Sequence, residues 1–399
     1  MNKLFEKHSK KLASTSLYFV RGIMNQINWN ARLIGIRGAR GVGKTTLLLQ
    51  YIKKYLPNSS EALYANLDDI WFSENNLVDL ADDFVKQGGR YLFLDEVHKY
   101  NDWSKEIKNI YDDHPELYIV FTGSSLLEIL DARADLSRRA VIYQMQGLSF
   151  REFLNFSLHT NLRIFSFEDI LSNHIQLSEE VLDTIKPLKY FGAYLQKGYY
   201  PFFKEVPELY HSRLEEILNM IIYIELPLLR GVDIHFSSKL KQLLLIISES
   251  APFIPNINKL SEKIKINRNT LISYLRFLEE AGIILRLYRK SKGISRMQKP
   301  DKIFLENTNI AFAVNTSSPN AGNLRETFFF NQLKYQHYLT FPKTADFMVD
   351  DSWFIEVGGK NKTGEQINHL SKNKAFLAID NIEYGYMNHI PLWMFGFLY

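Results

Sequence analysis

The sequence predicts an α/β protein. A parallel sheet flanked by helices is followed by a helical connector, a helical unit closed by a β-hairpin, and a second, smaller α/β unit. Three observations predict this. Short apolar runs at Leu33–Ile36, Arg90–Leu94 and Leu117–Phe121 alternate with helix-period segments, and each leads into polar residues of ligand type. That is the pattern of parallel strands with a site at their carboxyl ends. From Arg151 to Arg230 the apolar residues recur at helical spacing with no strand-like alternation. Beyond the polar break Asn315–Asn320, a helix and two short strands each carry an acidic residue.

A chain of 399 residues suits two or three domains of roughly 100–200 residues each. With 46% hydrophobic and 23% charged residues it has the composition of a folded globular protein. Cysteine is absent, which excludes disulfides, thiolate nucleophiles and cysteine-ligated zinc. Chemistry is left to oxygen, nitrogen and hard cations. The first residues carry Lys3, Lys7, Lys10 and Lys11, but the apolar run Leu17–Val20 is cut short by Arg21, so no secretion signal is expected. The apolar stretches Leu243–Ile247 and Ile390–Tyr399 fall below the ~20 residues that span a bilayer. A cytoplasmic protein without membrane segments is expected.

The first strand runs into GARGVGKTT, in which Gly38, Gly43, Lys44 and Thr45 complete the GxxxxGK[ST] phosphate loop before an apolar helix. Glycines let backbone N–H groups wrap phosphates, the lysine reaches the β and γ oxygens, the hydroxyl ligates Mg²⁺, and the helix dipole faces the anion. The expected nucleotide-binding residues are therefore Gly38, Ala39, Arg40, Gly41, Val42, Gly43, Lys44, Thr45 and Thr46. The second run ends in Asp95 and Glu96 about fifty positions later, the layout of a Walker B strand. Asp95 is expected to hold Mg²⁺, and Glu96 to orient or deprotonate the attacking water. With no NKxD guanine-reading motif following, ATP is expected over GTP.

The third run leads into Thr122, Gly123, Ser124 and Ser125. Ser124 is the first choice for a residue between the two Walker elements that senses the γ-phosphate; helix capping before Leu126–Leu130 is the competing and compatible role. Among Arg133, Arg138 and Arg139, in the polar connection before Ala140–Tyr143, an arginine finger acting in cis or in trans is sought, with Arg139 as the candidate. A finger in trans would need a neighbouring subunit, so oligomerisation is left open.

These motifs carry a family resemblance. GARGVGKTTLL, LFLDE with the Trp-containing helix Val97–Tyr111, VFTGSS and QGLSFREFL (Gln146–Leu154) resemble the AAA-like prokaryotic ATPases whose C-terminal half looks like a PD-(D/E)xK nuclease; YLQKGYYPFF (Tyr194–Phe203) and FIEVGGKNKTGEQI (Phe354–Ile367) extend it. The resemblance implies a P-loop ATPase domain over 1–155, a helical connector over 156–235, a winged helix-turn-helix over 236–306 and a nuclease-like domain over 307–399. It also gives Ser124 the place of the sensor 1 residue of AAA-type ATPases.

In the connector, Leu214, Ile217, Ile221, Ile224 and Leu228 read as one helical stripe. Tyr199, Tyr200 and Phe202 read as core. In the following stretch Lys239–Ser248, Ile257–Ile264 and Asn269–Gly282 read as three helices, the last with a stripe of Leu271, Tyr274, Leu275 and Leu278. Ile283–Tyr288 and Lys302–Leu305 can pair as a wing around RKSKGISRMQK. Residues 239–299 hold 13 Lys+Arg against four Asp+Glu, a net +9, whereas 61–120 hold 14 Asp+Glu against five Lys+Arg, a net −9; the chain's +4 is a sum of opposed parts. Double-stranded DNA held by helix and wing, with Arg268, Thr270, Ser273 and Arg276 on the exposed face, is the expected partner; a winged helix used for protein packing is the alternative.

At the C-terminal end, Glu326 on a helix, Asp346 on one strand and Glu356 on the next resemble the Mg²⁺-binding part of a PD-(D/E)xK site. The family's E-x-K would place lysine at 358, where this chain has Gly358; Lys360 lies about 7 Å further along the strand, and Lys360 or Lys362 would have to reach back. Three readings follow: an active nuclease with a displaced lysine, an inactive nuclease fold kept for binding, or a plain structural domain. For the whole chain the expectation is Mg²⁺-dependent ATP hydrolysis coupled to DNA binding or processing; the alternative is a nucleotide-gated protein-interaction switch with an inactive nuclease-like domain.

Overall fold

Five short, almost wholly apolar runs become strands of one parallel sheet, whose faces are covered by helices. A computed structural model describes residues 1–56, 60–123, 136, 138–249, 253–290, 299–314, 319–367, 370–371 and 374–399. The chain divides into two units, Met1–Gly147 and Leu148–Tyr399.

In the first unit the strands β1 (Leu33–Arg37), β2 (Ala62–Asn66), β3 (Tyr91–Asp95), β4 (Tyr118–Gly123) and β5 (Val141–Gln144) lie in the order β2-β3-β4-β1-β5. All neighbours run parallel, with Ile36 opposite Thr122 and Leu94 opposite Phe121. Strand β4 is thus inserted between the strand leading into the phosphate loop and the strand ending in Asp95. Leu33, Ile34, Ile36, Leu92, Phe93, Leu94, Ile119 and Phe121 are buried, as expected where both faces are covered. The helix α1 (Asn2–Ser14) packs on edge strand β2. There Tyr64 N donates to His8 Nδ1 at 2.9 Å, and burial holds that imidazole's pKa below its usual value. An edge amide is thereby paired inside the unit.

The helix α2 (Lys44–Tyr55) begins directly after the phosphate loop, and α3 (Leu77–Lys86) and α4 (Trp103–Asp113) pack together. The buried Arg21 lies ahead of the loop and ties it down. Its Nη1 donates to Val42 O, and its Nη2 to Gln146 O and Gly147 O, each at 2.8 Å.

The sequence expectation ends the first domain at residue 155, whereas the backbone divides at Gly147. The helix Phe150–Leu158 belongs to the second unit because Ser149 and Glu152 form its capping box and Phe150 packs on Phe191 and Phe397. Tyr199, Tyr200 and Phe202 are buried, as expected of core.

The connector stripe differs from expectation. Leu214, Leu218, Ile222 and Leu226 are buried, while Ile224 and Leu228 are 53% and 78% exposed. The buried residues recur every fourth position, a longer period than the 3.6 residues of an α-helical turn, so on a regular helix they would drift off one face. A π-helical turn over Ile221–Glu225 widens the helix locally and keeps them aligned.

The helices Ile257–Ile264 and Arg268–Glu280 follow, and the four expected stripe residues of the second are buried. Gly282, at φ 70°, ends that helix. Strands β6 (Ile284–Leu287) and β7 (Lys302–Leu305) pair antiparallel, with Leu287 opposite Lys302. The helix Ala321–Leu333 then leads to a mixed sheet of order β12-β11-β10-β9-β8: β8 (Leu339–Thr340), β9 (Phe347–Val349), β10 (Trp353–Gly358), β11 (Ala375–Ile379) and β12 (His389–Pro391). Strands β10, β11 and β12 are parallel, and β8, β9 and β10 antiparallel. The apolar stretch Leu392–Phe397 is a buried 3₁₀ segment. Among the described residues, no helix is long and apolar enough to cross a membrane.

Arg21→Ala would leave three carbonyls without their charged donor. We expect it to lower the unfolding free energy of the first unit by about 2–4 kcal/mol, read from the urea midpoint with far-UV circular dichroism unchanged.

Candidate functional site

The site forms at the carboxyl ends of β1, β3 and β4, where the phosphate loop, Asp95 and Thr122 meet. The loop has its shape for steric reasons. Gly41 and Gly43 adopt φ of 84° and 98°, a region that favours glycine. A Cβ on Gly38 would lie 2.3 Å from Met145 O. Lys44, 4% exposed, donates from Nζ to Gly38 O at 2.8 Å and Ala39 O at 3.1 Å, so its ammonium lies folded against the loop.

Asp95 is the hub. It is buried, and its Oδ2 accepts from Thr45 Oγ1 at 2.6 Å and Tyr64 Oη at 2.7 Å. Its Oδ1 accepts from Thr122 Oγ1 and from Glu96 N, the latter at 3.1 Å. Four donors from β2, β4, the head of α2 and the next peptide therefore orient one carboxylate. The Tyr64 hydroxyl is held well above its ordinary pKa by burial first, then by the Asp95 charge; it stays a donor. On the other side of Tyr64, Lys11 Nζ donates to Tyr64 Oη at 3.1 Å.

Glu96 sits at φ 54°, a left-handed conformation that turns the chain sharply after β3. His98 Nε2 lies 3.5 Å from Glu96 Oε2, and the imidazole is 5% exposed. Burial first, then the cations Lys99, Arg40 and Lys44, push the His98 pKa down to about 4. The ring is neutral at neutral pH.

The structure thus brings together Lys44, Thr45 and Asp95, with Glu96 adjacent. Thr45 and Asp95 present a hydroxyl and a carboxylate within 2.6 Å of each other, a hard-oxygen pair suited to Mg²⁺. Two residues of the cluster escape the sequence motifs. Thr122 lies inside the quoted VFTGSS segment, but sheet register decides that it, opposite Ile36, reaches Asp95. Tyr64 comes from a strand that carries no motif. Ser124, Ser125, Arg133 and Lys292 lie outside the described residues.

Arg139 needs a correction. It precedes the amino-terminal end of β5, whereas the phosphate loop follows the carboxyl end of β1, which runs parallel to β5. Its guanidinium is paired with Asp112, with Nη2 to Oδ2 at 2.8 Å. A finger acting in cis on this site is therefore not what Arg139 supplies.

In the second unit, Glu326 and Asp346 share the Lys302 ammonium, at 3.0 and 3.2 Å. Burial first, then the nearby Asp346 charge, raise the Glu326 pKa to about 7. Glu356 is paired through Oε1 with Lys362 Nζ at 2.9 Å. Asp346 itself stands just before β9 rather than within it, and its Oδ2 accepts from Val357 N at 3.0 Å.

Residues 30–154 match the family model described as an AAA domain. The chain is 27% identical over 291 residues to the uncharacterized protein MJ1637 of Methanocaldococcus jannaschii, a match covering 69% of this chain and 61% of that protein's length. It is 22% identical over 367 residues to MJ1544 of the same organism, covering 86% of this chain and 77% of that one. Of solved structures, the Walker-type ATPase PABY2304 of Pyrococcus abyssi aligns with a TM-score of 0.42 and 13% identity, over 77% of this chain and 95% of that one. Sheet order, phosphate loop and family match together make the first unit a P-loop NTPase core of AAA-like type.

Tyr64→Phe would leave buried Asp95 one donor short. We expect a loss of about 1–2 kcal/mol of stability, measured by thermal unfolding. A histidine held neutral by burial binds fewer protons folded than unfolded, so its stabilising contribution is present above pH about 6.5 and lost as pH falls toward about 4. An NMR titration is expected to show the His98 ring neutral down to about pH 4.

Proposed function

We propose that this protein binds and hydrolyses ATP with Mg²⁺, and that its helical and hairpin segment holds double-stranded DNA. The observation that carries the first part is the direct Thr45–Asp95 hydrogen bond, with Thr122 on the intervening strand. The loop amides of 38–44 would cradle the phosphates, and Lys44 would leave its two carbonyls for the β and γ oxygens. Thr45 and Asp95 would hold Mg²⁺, which supplies Lewis-acid charge when bound. Glu96, on the turn after β3, would orient the water that attacks the γ-phosphoryl group, releasing ADP and phosphate. Neutral His98 places an uncharged ring beside that carboxylate without pairing away its charge.

The DNA part rests on charge. Many of the basic residues in 239–299 have acidic partners: Lys241 pairs with Glu215, Arg276 with Glu280, Arg286 with Glu279, Arg289 with Asp301 and Lys290 with Asp351. Lys259, Lys263, Lys265 and Arg268 are exposed and follow one another along the helix Ile257–Ile264, the turn after it, and the first residue of Arg268–Glu280. We place phosphate contact at this corner, where the helix amino terminus adds its own positive end. The helix-hairpin order supports a winged helix-turn-helix reading, and helix plus mixed sheet supports a nuclease-like one.

Lys44→Ala should abolish nucleotide binding, and Glu96→Gln should bind ATP while turning over at least 100-fold more slowly. DNA should stimulate steady-state hydrolysis. Retained turnover in both variants would overturn the ATPase assignment; turnover indifferent to DNA would favour the nucleotide-gated switch. Lys263→Glu with Arg268→Glu should weaken binding to any duplex alike and flatten its salt dependence by about one unit of slope for each phosphate no longer neutralised. Failure of the wild type to shift duplex DNA at low salt would remove the DNA part.

A further inference from the structure

We propose that the three-carboxylate cluster of the second unit is closed by Lys302, whose ammonium stands where a nuclease's divalent cation would stand, so that this unit does not cut phosphodiester bonds. The inference concerns Leu148–Tyr399 alone and is independent of the nucleotide reading.

Position is the first ground. Lys302 opens β7, far in sequence from the carboxylates, yet its side chain is 5% exposed and its Nζ lies 3.0 Å from Glu326 Oε2 and 3.2 Å from Asp346 Oδ1. It bridges two of the three carboxylates of the motif, Glu326 on the helix and Asp346 before β9. The rings of Phe341 and Phe347 lie 4.9 and 5.9 Å from the same ammonium, so the lysine is lodged in a pocket with aromatic walls.

Charge is the second. With all three ionised, Glu326, Asp346 and Glu356 against Lys362 alone would leave two negative charges for a divalent ion to cancel. Lys302 removes one of them. Mg²⁺ and Mn²⁺ need several oxygens at close to 2 Å around a compact octahedron, and an ammonium already holding Glu326 Oε2 and Asp346 Oδ1 competes with such an ion for them.

Donor geometry is the third. Asp346 Oδ2 is taken by Val357 N and Glu356 Oε1 by Lys362. Glu356 Oε2 is buried without a hydrogen-bond partner. The displaced lysine of the motif is accounted for at the same time. Lys362 takes the partner role toward Glu356, and a Cβ on Gly358 would lie 2.7–2.9 Å from its side chain; the missing side chain at 358 is the passage through which Lys362 returns. The cluster therefore keeps the acids and a lysine but adds a second lysine that joins the hairpin to the helix Ala321–Leu333.

Mn²⁺ binding to the full chain, measured by electron paramagnetic resonance without nucleotide and in an Asp95→Asn background, tests this. Asp346→Asn should leave the wild-type Mn²⁺ signal unchanged. Lys302→Met should gain one bound Mn²⁺ that disappears again when Asp346→Asn is added, and Mn²⁺ should raise the melting temperature of Lys302→Met and not that of the wild type. Asp346-dependent Mn²⁺ binding or plasmid nicking by the chain with Lys302 intact would overturn the proposal, as would a folded Lys302→Met that gains no ion. Should Lys302→Met fail to fold, the comparison of the wild-type lysine with and without Asp346→Asn decides: no difference supports the closed cluster, and a difference overturns it.

Discussion

A buried carboxylate cannot stay charged in a protein interior unless donors surround it, and the first unit is organised around meeting that demand for Asp95. Thr45 reaches it from the head of α2, Thr122 from β4, Tyr64 from β2 and Glu96 N from the following peptide. Thr122 and Asp95 lie at the carboxyl ends of β4 and β3, Thr45 lies in the first turn of α2, and Tyr64 lies mid-strand in β2. Sheet order and hydrogen bonding support one another: β4 must lie between β1 and β3 for Thr122 to reach Asp95, and β2 must lie outside β3 for Tyr64 to do so. The α1 helix enters the same network, since Lys11 donates to Tyr64 and His8 accepts from the Tyr64 amide.

The second unit meets the same demand differently. Its buried acids Glu326 and Glu356, with half-buried Asp346, are answered by lysines rather than by hydroxyls and amides alone. A hydroxyl can turn from a carboxylate toward an incoming ion, whereas an ammonium between two carboxylates repels one. The two acidic clusters of this chain are therefore answered differently: Asp95 by hydroxyls and an amide, and Glu326 with Asp346 by an ammonium.

Much of the first unit was legible because local patterns carried it. The phosphate loop and the Asp95–Glu96 pair are contiguous, and their chemistry dictates residue type at fixed spacing. Arg139 and Tyr64 were not legible for one reason: which end of a strand, and which neighbour, a residue meets is set by register and strand order. The connector stripe failed for another. Spacing at 214, 217, 221, 224 and 228 follows a regular helix, and the π turn that moves the buried face to 214, 218, 222 and 226 has no signature in the apolar pattern. Net charge counted within one stretch leaves out partners elsewhere in the chain. The +9 of residues 239–299 is partly answered by Glu215 and Asp351, acids outside the stretch.

By itself the sequence determined the α/β class, the phosphate loop, the place of Asp95 and Glu96 at the end of an apolar strand, and the helix-hairpin order, because each depends on periodicity or on residues adjacent in the chain. Only the tertiary structure decided that Thr122 and Tyr64 hold Asp95, that Arg139 stands away from the phosphate loop, and that Lys302 rather than an open gap faces Glu326 and Asp346. These depend on long-range packing, where a side chain's charge is matched by a partner that no local pattern names. Lys302 lies 24 residues from Glu326 and 44 from Asp346 along the chain, and the contact forms only once hairpin, helix and sheet have packed.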